Sequence, residues 1–494
     1  MTEFVDLLIL RGTVITVDPQ RRVIEDGALA VRGERIVAIG STAELQARFH
    51  AARTLDAHRK AVLPGLIDGH AHAGHGLLKT LGGGDAAAWM EACRVIYTLG
   101  SDEDFWYAEA RLAALERLRF GATTGVCLFG GGDSIMRVDH PRYAARHCDA
   151  VAQAGTRSVL AIGPSRPPAP RIYATWNGDT REDHPVSWEQ MHETCEEIIT
   201  TQHGRADGRV NICVTLPVYQ PQHDPEHRIH AADFRAQAAQ YADMARRHGL
   251  GFTQDGHRAG TLKLAHDELG LLGPRAFMSH SIDLTPEDIE ACRATGTSIV
   301  HNPSAIMSIR GRCPVPELIE AGVNVALGSD GIAPDRSYDM FRHMWQAMHY
   351  HRRHFRDSGV LPHGKVLEMA TIDAARALGL ADDIGSLEVG KKADIILVDL
   401  FKPHLMPLNM PVYRITSFAS GADVCTTIVN GRILMEDGRV LTLDETEVME
   451  AAQTATDRML ARTGLHHLLD APAHLWRAAH YSGHLPGRSG AATA

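Results

Sequence analysis

The sequence has no apolar run long enough to cross a membrane, and it lacks the cysteine spacings typical of disulfide-rich domains and zinc ribbons. Its eight cysteines are scattered and form no CxxC pair, so we expect reduced and mostly buried thiols. The first residues, MTEFVDLLILRG, have no basic start and do not resemble a signal peptide. These absences favour a cytoplasmic protein with no membrane partner.

An excess of basic residues is also missing. The formal net charge is −10, whereas a nucleic-acid-binding protein usually carries a basic patch or stripe. We therefore expect no nucleic-acid partner. A small-molecule substrate of any charge remains compatible with this balance.

The length of 494 residues is too great for one ordinary domain and fits a large barrel with a smaller accessory domain. Hydrophobic residues make up 44% and charged residues 22% of the chain, which allows a sizeable core.

The middle of the chain alternates strand and helix patterns. Eight apolar runs of the buried-strand type each end in a polar cluster, and helical patterns separate them. The runs are AVLPGLIDGHAH, GATTGVCLFGG, TRSVLAIGPS, RVNICVTLP, LGFTQDGH, AFMSHSI, TSIVHNPS and VNVALGSDG. This pattern predicts an α/β fold with a (β/α)₈ TIM barrel, whose chemistry sits at the carboxyl ends of the strands.

Both ends of the chain have short alternating strands with Gly or Asp at the breaks. We expect residues 1–60 and 386–445 to form the two parts of one small β-sandwich, flanking the barrel at 61–385. Residues 446–494 begin with a helical pattern and form the predicted C-terminal tail.

A metal site is predicted where the first and eighth strands meet. His70 and His72 follow the first strand, and positions i and i+2 of a strand face the same side. Asp330 follows the eighth strand, which neighbours the first in a closed barrel. Three protein ligands with one open position suit a catalytic divalent ion, which lowers the pKa of bound water to about 7.

Strands five and six offer further candidates. Asp255 and His257 fall on one face after strand five, with Gln254 on the other. By residue type we prefer His257 as the fourth ligand, while Asp255 could instead ligate the metal or carry protons. His280 after strand six is a candidate ligand, general base or electrostatic stabiliser.

The end of strand seven carries His301, Asn302 and Ser304. Their polar character at a strand end favours contact with the substrate, so we predict these three as substrate-binding residues.

With these motifs in place, the chain resembles the amidohydrolase superfamily, in particular the branch of s-triazine hydrolases and cytosine and guanine deaminases. Three segments carry the resemblance, LPGLIDGHAH, HNPSAIMSIRGRCPVPELIEAGVNVALGSDG and ATIDAARALGLADDIGSLEVGKKADIILVD. The resemblance implies His70, His72 and Asp330 as metal ligands, His280 as the histidine that orients the water, and Zn²⁺ as the metal, with Co²⁺, Mn²⁺ or Fe²⁺ as alternatives.

The chain also departs from the family's pattern. Strand four has no lysine to bridge two metals, so one ion is expected. The His-x-x-Glu of the deaminases is absent, because Arg258 stands three residues after Asp255 and Gly260 three after His257. In the deaminases, that glutamate normally protonates the ring nitrogen. A further departure lies after strand seven, where Ala305 follows Ser304 in place of the usual asparagine.

We therefore expect a metal-dependent hydrolase that cleaves an amide, urea or (thio)carbamate C–N bond with metal-activated water, similar to the phenylurea and molinate hydrolases. His280, Asp330 and Asp255 are its predicted catalytic residues, and a homo-oligomer is its predicted assembly. The alternative is a deaminase of a nucleobase or triazine-like ring. A non-catalytic protein on a decayed barrel is a third possibility, against which the intact HxH and GSDG motifs argue.

Overall fold

The computed structural model describes residues 2–131, 135–472 and 475–476. In chain order, the strands of this part are β1 Glu3–Ile15, β2 Val23–Arg32, β3 Arg35–Ser41, β4 Phe49–Asp56, β5 Lys60–Pro64, β6 Leu66–Asp68, β7 Ala122–Leu128, β8 Arg157–Ile162, β9 Arg171–Asn177, β10 Thr180–Val186, β11 Val210–Thr215, β12 Phe252–Gln254, β13 Ala276–Ser279, β14 Ser298–His301, β15 Val325–Leu327, β16 Ile395–Asp399, β17 Val424–Val429, β18 Arg432–Glu436 and β19 Arg439–Val440.

The α-helices of the same part are α1 Thr42–Arg48, α2 Ala86–Val95, α3 Glu103–Arg119, α4 Arg142–Ala154, α5 Trp188–Gln202, α6 Arg205–Gly208, α7 Glu226–Ile229, α8 Ala231–His248, α9 Thr261–Asp267, α10 Pro286–Thr295, α11 Ile306–Arg310, α12 Val315–Glu320, α13 Met340–Phe355, α14 His363–Met369, α15 Ile372–Ala377, α16 Pro411–Ser417 and α17 Glu445–Thr463. Among the described residues, no helix is both long and apolar enough to cross a membrane.

Eight parallel strands form the barrel, in the order β6, β7, β8, β11, β12, β13, β14 and β15. Each corresponds to one of the eight apolar runs of the sequence, so the predicted TIM barrel is confirmed. The helix predicted after strand six is α10: Thr285 caps its start by accepting from the Asp288 N–H, and Gly296 ends it with φ +73°.

The first and last barrel strands are joined by backbone hydrogen bonds just beyond their ends. The Gly69 N–H donates to the Leu327 carbonyl and the Asp330 N–H donates to the His70 carbonyl, both at 2.9 Å. A side chain at Gly328 would bring its Cβ to 2.8 Å from the backbone nitrogen of His70. Glycine at this position therefore permits the close approach that places Asp330 beside the histidines.

The barrel interior is filled by small and branched side chains. Val126, Val159, Phe277 and Val300 from the strands belong to one buried cluster with Ala374 of α15. Such packing makes the barrel a core rather than a pore, so only the carboxyl ends of the strands are open to a substrate.

Both chain ends contribute to one nine-stranded sheet, which confirms that they share a small β-domain. Its order is β19, β18, β17, β16, β5, β1, β2 and β3, with β4 paired to β1. The sheet includes β5 at Lys60–Pro64, which crosses the boundary predicted after residue 60. Helix α17 lies in the predicted C-terminal tail, of which residues 473–474 and 477–494 are outside the described part.

Candidate metal centre

Two imidazoles extend from the end of β6. His70 and His72 are both buried, with ring centroids 5.1 Å apart. The Nδ1–H of His72 donates to the Gly130 carbonyl at 3.0 Å, and Nε2 faces Asp330. Fixing one ring nitrogen in this way orients the other towards a metal, as is usual for metal-binding histidines.

Two carboxylates face these imidazoles. Asp330 Oδ1 lies 3.2 Å from His72 Nε2 and 3.6 Å from His70 Nε2. Asp255 is 3.4 Å from His70 Nε2 through Oδ1 and 3.6 Å from His72 Nε2 through Oδ2. The four ligand atoms of His70, His72, Asp255 and Asp330 all lie within 4.8 Å of one another.

The donors of this cluster fit a divalent cation. Both ring nitrogens of His70 are buried and make no hydrogen bond of acceptable geometry with a described residue, although two carboxylates lie within 3.6 Å. Buried polar atoms are rarely left without a partner. An ion held by two imidazoles and two carboxylates would satisfy them, and this mixture of nitrogen and oxygen ligands suits zinc and related metals.

His280 stands beside the cluster at the end of β13. Its Nε2 lies 2.8 Å from Asp255 Oδ1 and 3.5 Å from Asp330 Oδ1, and its Nδ1 lies 3.4 Å from the amide nitrogen of Asn302. Burial alone would lower its pKa, but the charges of Asp330 and Asp255 outweigh burial and raise the pKa of His280 to about 10. His280 is thus placed to donate a hydrogen bond from Nε2 to the carboxylates at the edge of the cluster.

Asp330 also contacts an arginine from the loop after β15. Arg336 Nη1 lies 3.1 Å from Asp330 Oδ2. Burial favours a raised pKa for Asp330, but the charges of Arg336 and His280 hold it well below its usual range. The backbone at both Asp330 and His280 is left-handed, with φ +61° at each, a conformation that non-glycine residues adopt at a cost and often at functional sites.

A cavity of about 380 Å³ opens above this cluster. Its walls come from the loops that follow the barrel strands, as in other TIM barrels. It is lined by His72, His75, Ala86, Trp89, Met90, Gly131, Arg166, Gln220, Asp255, Gly256, Arg258, His280, Ile306, Met307, Arg310, Asp330 and Arg336.

The structure does not bring His257 into the cluster, which corrects its prediction as a ligand. His257 Nδ1 contacts the Thr261 hydroxyl at 2.9 Å, and the four-residue ligand group includes Asp255 instead. Gln254 donates to the carbonyls of Leu216 and Pro217. Strand β12 ends at Gln254 and the chain turns at Gly256 with φ +94°, so strand alternation does not continue to His257.

The predicted substrate-binding group is likewise not part of the cavity wall. His301 is fully buried, with its ring 5.2 Å from that of His351 in α13. Asn302 donates to the Ser279 hydroxyl at 2.9 Å, and its amide nitrogen lies 3.4 Å from His280 Nδ1. The Ser304 hydroxyl contacts His343 at 3.2 Å. These residues pack between strand and helix or support His280, whereas Ile306 and Met307 of α11 reach the cavity.

Several cavity residues were not identified from the sequence. Arg166, Arg258, Arg310 and Arg336 all line the cavity, and they come from separate segments of the chain without a common motif. His75 is different, because it follows His72 by three residues. Its ring stacks on that of His72 with centroids 4.6 Å apart, and its spacing in HAHAGH could have drawn attention to it.

Comparison with known proteins assigns this fold and site to a family. The family model described as "Amidohydrolase family" matches residues 61–434, and one described as "Imidazolonepropionase-like composite domain, bacteria" matches residues 27–52. The chain belongs to the amidohydrolase family. It is a metal-dependent hydrolase that acts on carbon–nitrogen bonds, which confirms the predicted enzyme class.

Full-length relatives support this membership. The chain is 32% identical over 462 residues to 5-methylthioadenosine/S-adenosylhomocysteine deaminase of Syntrophobacter fumaroxidans, covering 93% of this chain and 98% of the relative. It is 31% identical to 5'-deoxyadenosine deaminase of Methanosarcina mazei, covering 92% of this chain and 99% of that protein.

Two solved structures with zinc have the same fold. An adenosine deaminase from Xanthomonas campestris with bound zinc is 25% identical, with a TM-score of 0.78 over 93% of this chain and 100% of its own. Atrazine chlorohydrolase from Arthrobacter aurescens TC1, complexed with zinc, is 23% identical, with a TM-score of 0.74 over 91% of this chain and 100% of its own. Together with the cluster, these neighbours support a divalent metal in this protein.

Proposed function

We propose that this enzyme hydrolyses the C–N bond of an amide, urea or (thio)carbamate, with one Zn²⁺ held by His70, His72, Asp255 and Asp330. A Zn²⁺ ion held by these residues would supply Lewis-acid chemistry, that is, activation of a water molecule and polarisation of the substrate's carbonyl oxygen. The proposal replaces His257 by Asp255 in the ligand set, because Asp255 belongs to the cluster of four ligand atoms.

The choice of an amide-type bond rests on which carboxylic acids line the cavity. The only carboxylic acids among the described residues that line the cavity are Asp255 and Asp330, and both belong to the candidate ligand group. Removing ammonia from an aromatic ring requires protonation of a ring nitrogen by a separate acid. Hydrolysis of an amide-type bond requires instead a donor for the oxyanion and a group that moves one proton.

The residues around the cluster suit those two tasks. Asp330, whose pKa lies well below its usual range, is ionised at neutral pH and accepts the proton of the attacking water. It then returns this proton to the leaving nitrogen. His280 Nε2–H is directed at the same carboxylates and donates to the oxygen that becomes negative in the tetrahedral intermediate.

A substrate panel tests this proposal. The zinc-loaded enzyme is assayed on ureas, carbamates and amides, and on aminated heterocycles, with separate detection of ammonia, amine and carboxylic product. Release of an amine and an acid or carbamic product supports the proposal. Asp330→Asn should abolish turnover, and retained activity in that variant contradicts the role given to Asp330.

Deamination of an aminated heterocycle is the second candidate, because the relatives that match over 98% and 99% of their length are named as deaminases of adenine nucleosides. In this case Asp255 would serve as the displaced acid. Ammonia released from a purine or triazine ring, with no turnover of amides or ureas, would favour this candidate over the first.

We further propose a cytoplasmic homo-oligomer. All eight cysteines are free and seven of them are buried, which suits a reducing compartment. Large apolar side chains are exposed in the segment 401–418, namely Phe401, Met406, Leu408, Met410, Tyr413 and Phe418. Exposed apolar side chains concentrated in one segment support an interface there, and light scattering of the purified protein tests the assembly.

A further inference from the structure

The wall of the cavity carries a marked excess of positive charge. Arg166, Arg258, Arg310 and Arg336 come from the loops or helix after β8, β12, β14 and β15, so that four separate segments place a guanidinium at one cavity. The two carboxylates of the lining both belong to the metal cluster, where a divalent ion would neutralise them. Apart from the metal cluster, the described residues of the lining offer no carboxylate to balance these four guanidinium groups.

Two of the four arginines already have protein partners. Arg336 pairs with Asp330 at 3.1 Å and donates to the Ala333 carbonyl. Arg166 lies 3.3 Å from Asp224, which is outside the cavity lining. Each of these two arginines therefore faces a carboxylate of the protein, although Nε of Arg336 makes no hydrogen bond with a described residue.

Arg258 and Arg310 differ from this pair. Among the described residues, neither guanidinium forms an ion pair, and the Nε atom of Arg258 is buried without a hydrogen-bond partner. Arg258 is half-buried, whereas Arg310 is exposed. A buried N–H without a partner is costly, and the planar fork of donors of a guanidinium matches a carboxylate.

The rest of the wall suits an apolar body. Trp89, Met90, Ile306 and Met307 line the same cavity, and α11, which contributes Ile306 and Met307, ends at Arg310. An aromatic or aliphatic group laid on Ile306 and Met307 would lie within about one helical turn of Arg310.

We propose that the substrate is an organic anion, with a carboxylate bound by Arg258 and Arg310 and an apolar body on the Trp89 side. This inference rests on the proposed function, in that the bond to be cleaved would lie at the metal cluster. It narrows the substrate class to carboxylated amides, ureas or carbamates, since a neutral molecule would leave both guanidinium groups without a partner.

Binding of two probes of matched shape tests the proposal without turnover. Benzoate and nitrobenzene have nearly the same size, but only benzoate is charged. We expect calorimetry on the zinc-loaded enzyme to show benzoate binding at least about tenfold more tightly than nitrobenzene. In the double variant Arg258→Gln/Arg310→Gln this preference should disappear, and in Arg310→Gln alone, which changes an exposed residue, it should decrease.

Arg439→Gln is the matched control, because Arg439 is an exposed arginine of β19 outside the cavity lining. It should bind benzoate as the unchanged enzyme does. Equal binding of the two probes, or full benzoate binding by the double variant, overturns the proposal. Benzoate binding that survives in the double variant and is lost when the metal is removed also overturns it, because the metal is then the carboxylate site.

The probes also separate this inference from the proposed function. If benzoate is selected through the arginines but no amide, urea or carbamate is hydrolysed, the anion site stands and the assigned reaction fails. If neutral ureas are hydrolysed as well as carboxylated ones, by the unchanged enzyme and the double variant alike, the reaction stands and the anion site fails.

Discussion

Asp68 accepts two hydrogen bonds from Ser329, from the backbone N–H to Oδ1 and from the hydroxyl to Oδ2, both at 2.8 Å. Asp68 ends β6, two residues before His70, and Ser329 directly precedes Asp330. Arg117 of α3 donates to the same carboxylate at 3.0 Å. One buried carboxylate therefore fixes the relative positions of the histidines and the aspartate of the candidate metal centre.

Replacing Asp68 by Asn should destabilise the protein strongly. Arg117 is buried, and the loss of the negative charge leaves its guanidinium without compensation, which costs about 3–5 kcal/mol. Urea unfolding measures the change. Asp56→Asn, which breaks the exposed pair with Arg11, is the control and should cost less than about 1 kcal/mol. Similar effects of the two substitutions would contradict the role given to Asp68.

The ligand from strand five can be identified by zinc affinity. Asp255→Ala removes a member of the four-residue cluster, and we expect zinc affinity to fall by at least about 100-fold, beyond what changes around the ligands usually cost. His257→Ala changes a residue that contacts Thr261 and should alter affinity far less. Competition with a chromophoric chelator gives both constants. A larger loss in His257→Ala would restore His257 as the ligand.

Some residues of this site can be predicted from the sequence, and others depend on local turns and packing. His70, His72 and Asp330 could be predicted because adjacent parallel strands end at one edge, whatever their loops do. The residue of strand five could not be predicted, since the short β12 ends at Gln254 and the turn at Gly256 then sets the direction of the side chains. His301 ends its strand as expected, but its ring lies beside His351. The direction in which a side chain points depends on packing, whereas its position along a strand can be predicted from the sequence.

Metal removal should abolish activity reversibly. The cluster places two imidazoles and two carboxylates around one point, and we expect one ion per chain by elemental analysis. Dialysis against a chelator should remove both metal and activity, and one equivalent of Zn²⁺ should restore activity, with Co²⁺ or Mn²⁺ as substitutes. Two ions per chain, or full activity in metal-free enzyme, would exclude the single-metal proposal.

His280 should contribute to catalysis rather than to metal binding. It lies outside the four-residue ligand group, yet its Nε2 is 2.8 Å from Asp255. If it donates to the developing oxyanion, His280→Leu should lower kcat by about 10²-fold to 10³-fold with one zinc still bound. Elemental analysis of the variant is the necessary control. Loss of the metal together with activity would show that His280 is a ligand.

The stability of the folded protein in acid should depend on His147, which is distant in sequence from every proposed metal ligand. His147 lies on α4, is almost fully buried, and neither ring nitrogen has a hydrogen-bond partner among the described residues. Burial, helped by the charge of Arg117, lowers its pKa to about 3, whereas an unfolded chain has a histidine pKa of about 6.5. The folded state therefore excludes a proton that the unfolded state binds.

The sign of this effect follows from proton binding. Above pH 6.5 neither state binds the proton and the residue contributes no pH dependence. As the pH falls from about 6.5 towards 3, only the unfolded state is protonated, so the free energy of unfolding decreases by up to about 1.4 kcal/mol per pH unit. His147→Leu, with a side chain of similar size and no titration, should show a shallower loss of stability between pH 6.5 and 4.5. His466→Gln, at an exposed histidine, should follow the unchanged protein, and parallel curves for all three proteins would disprove the assignment.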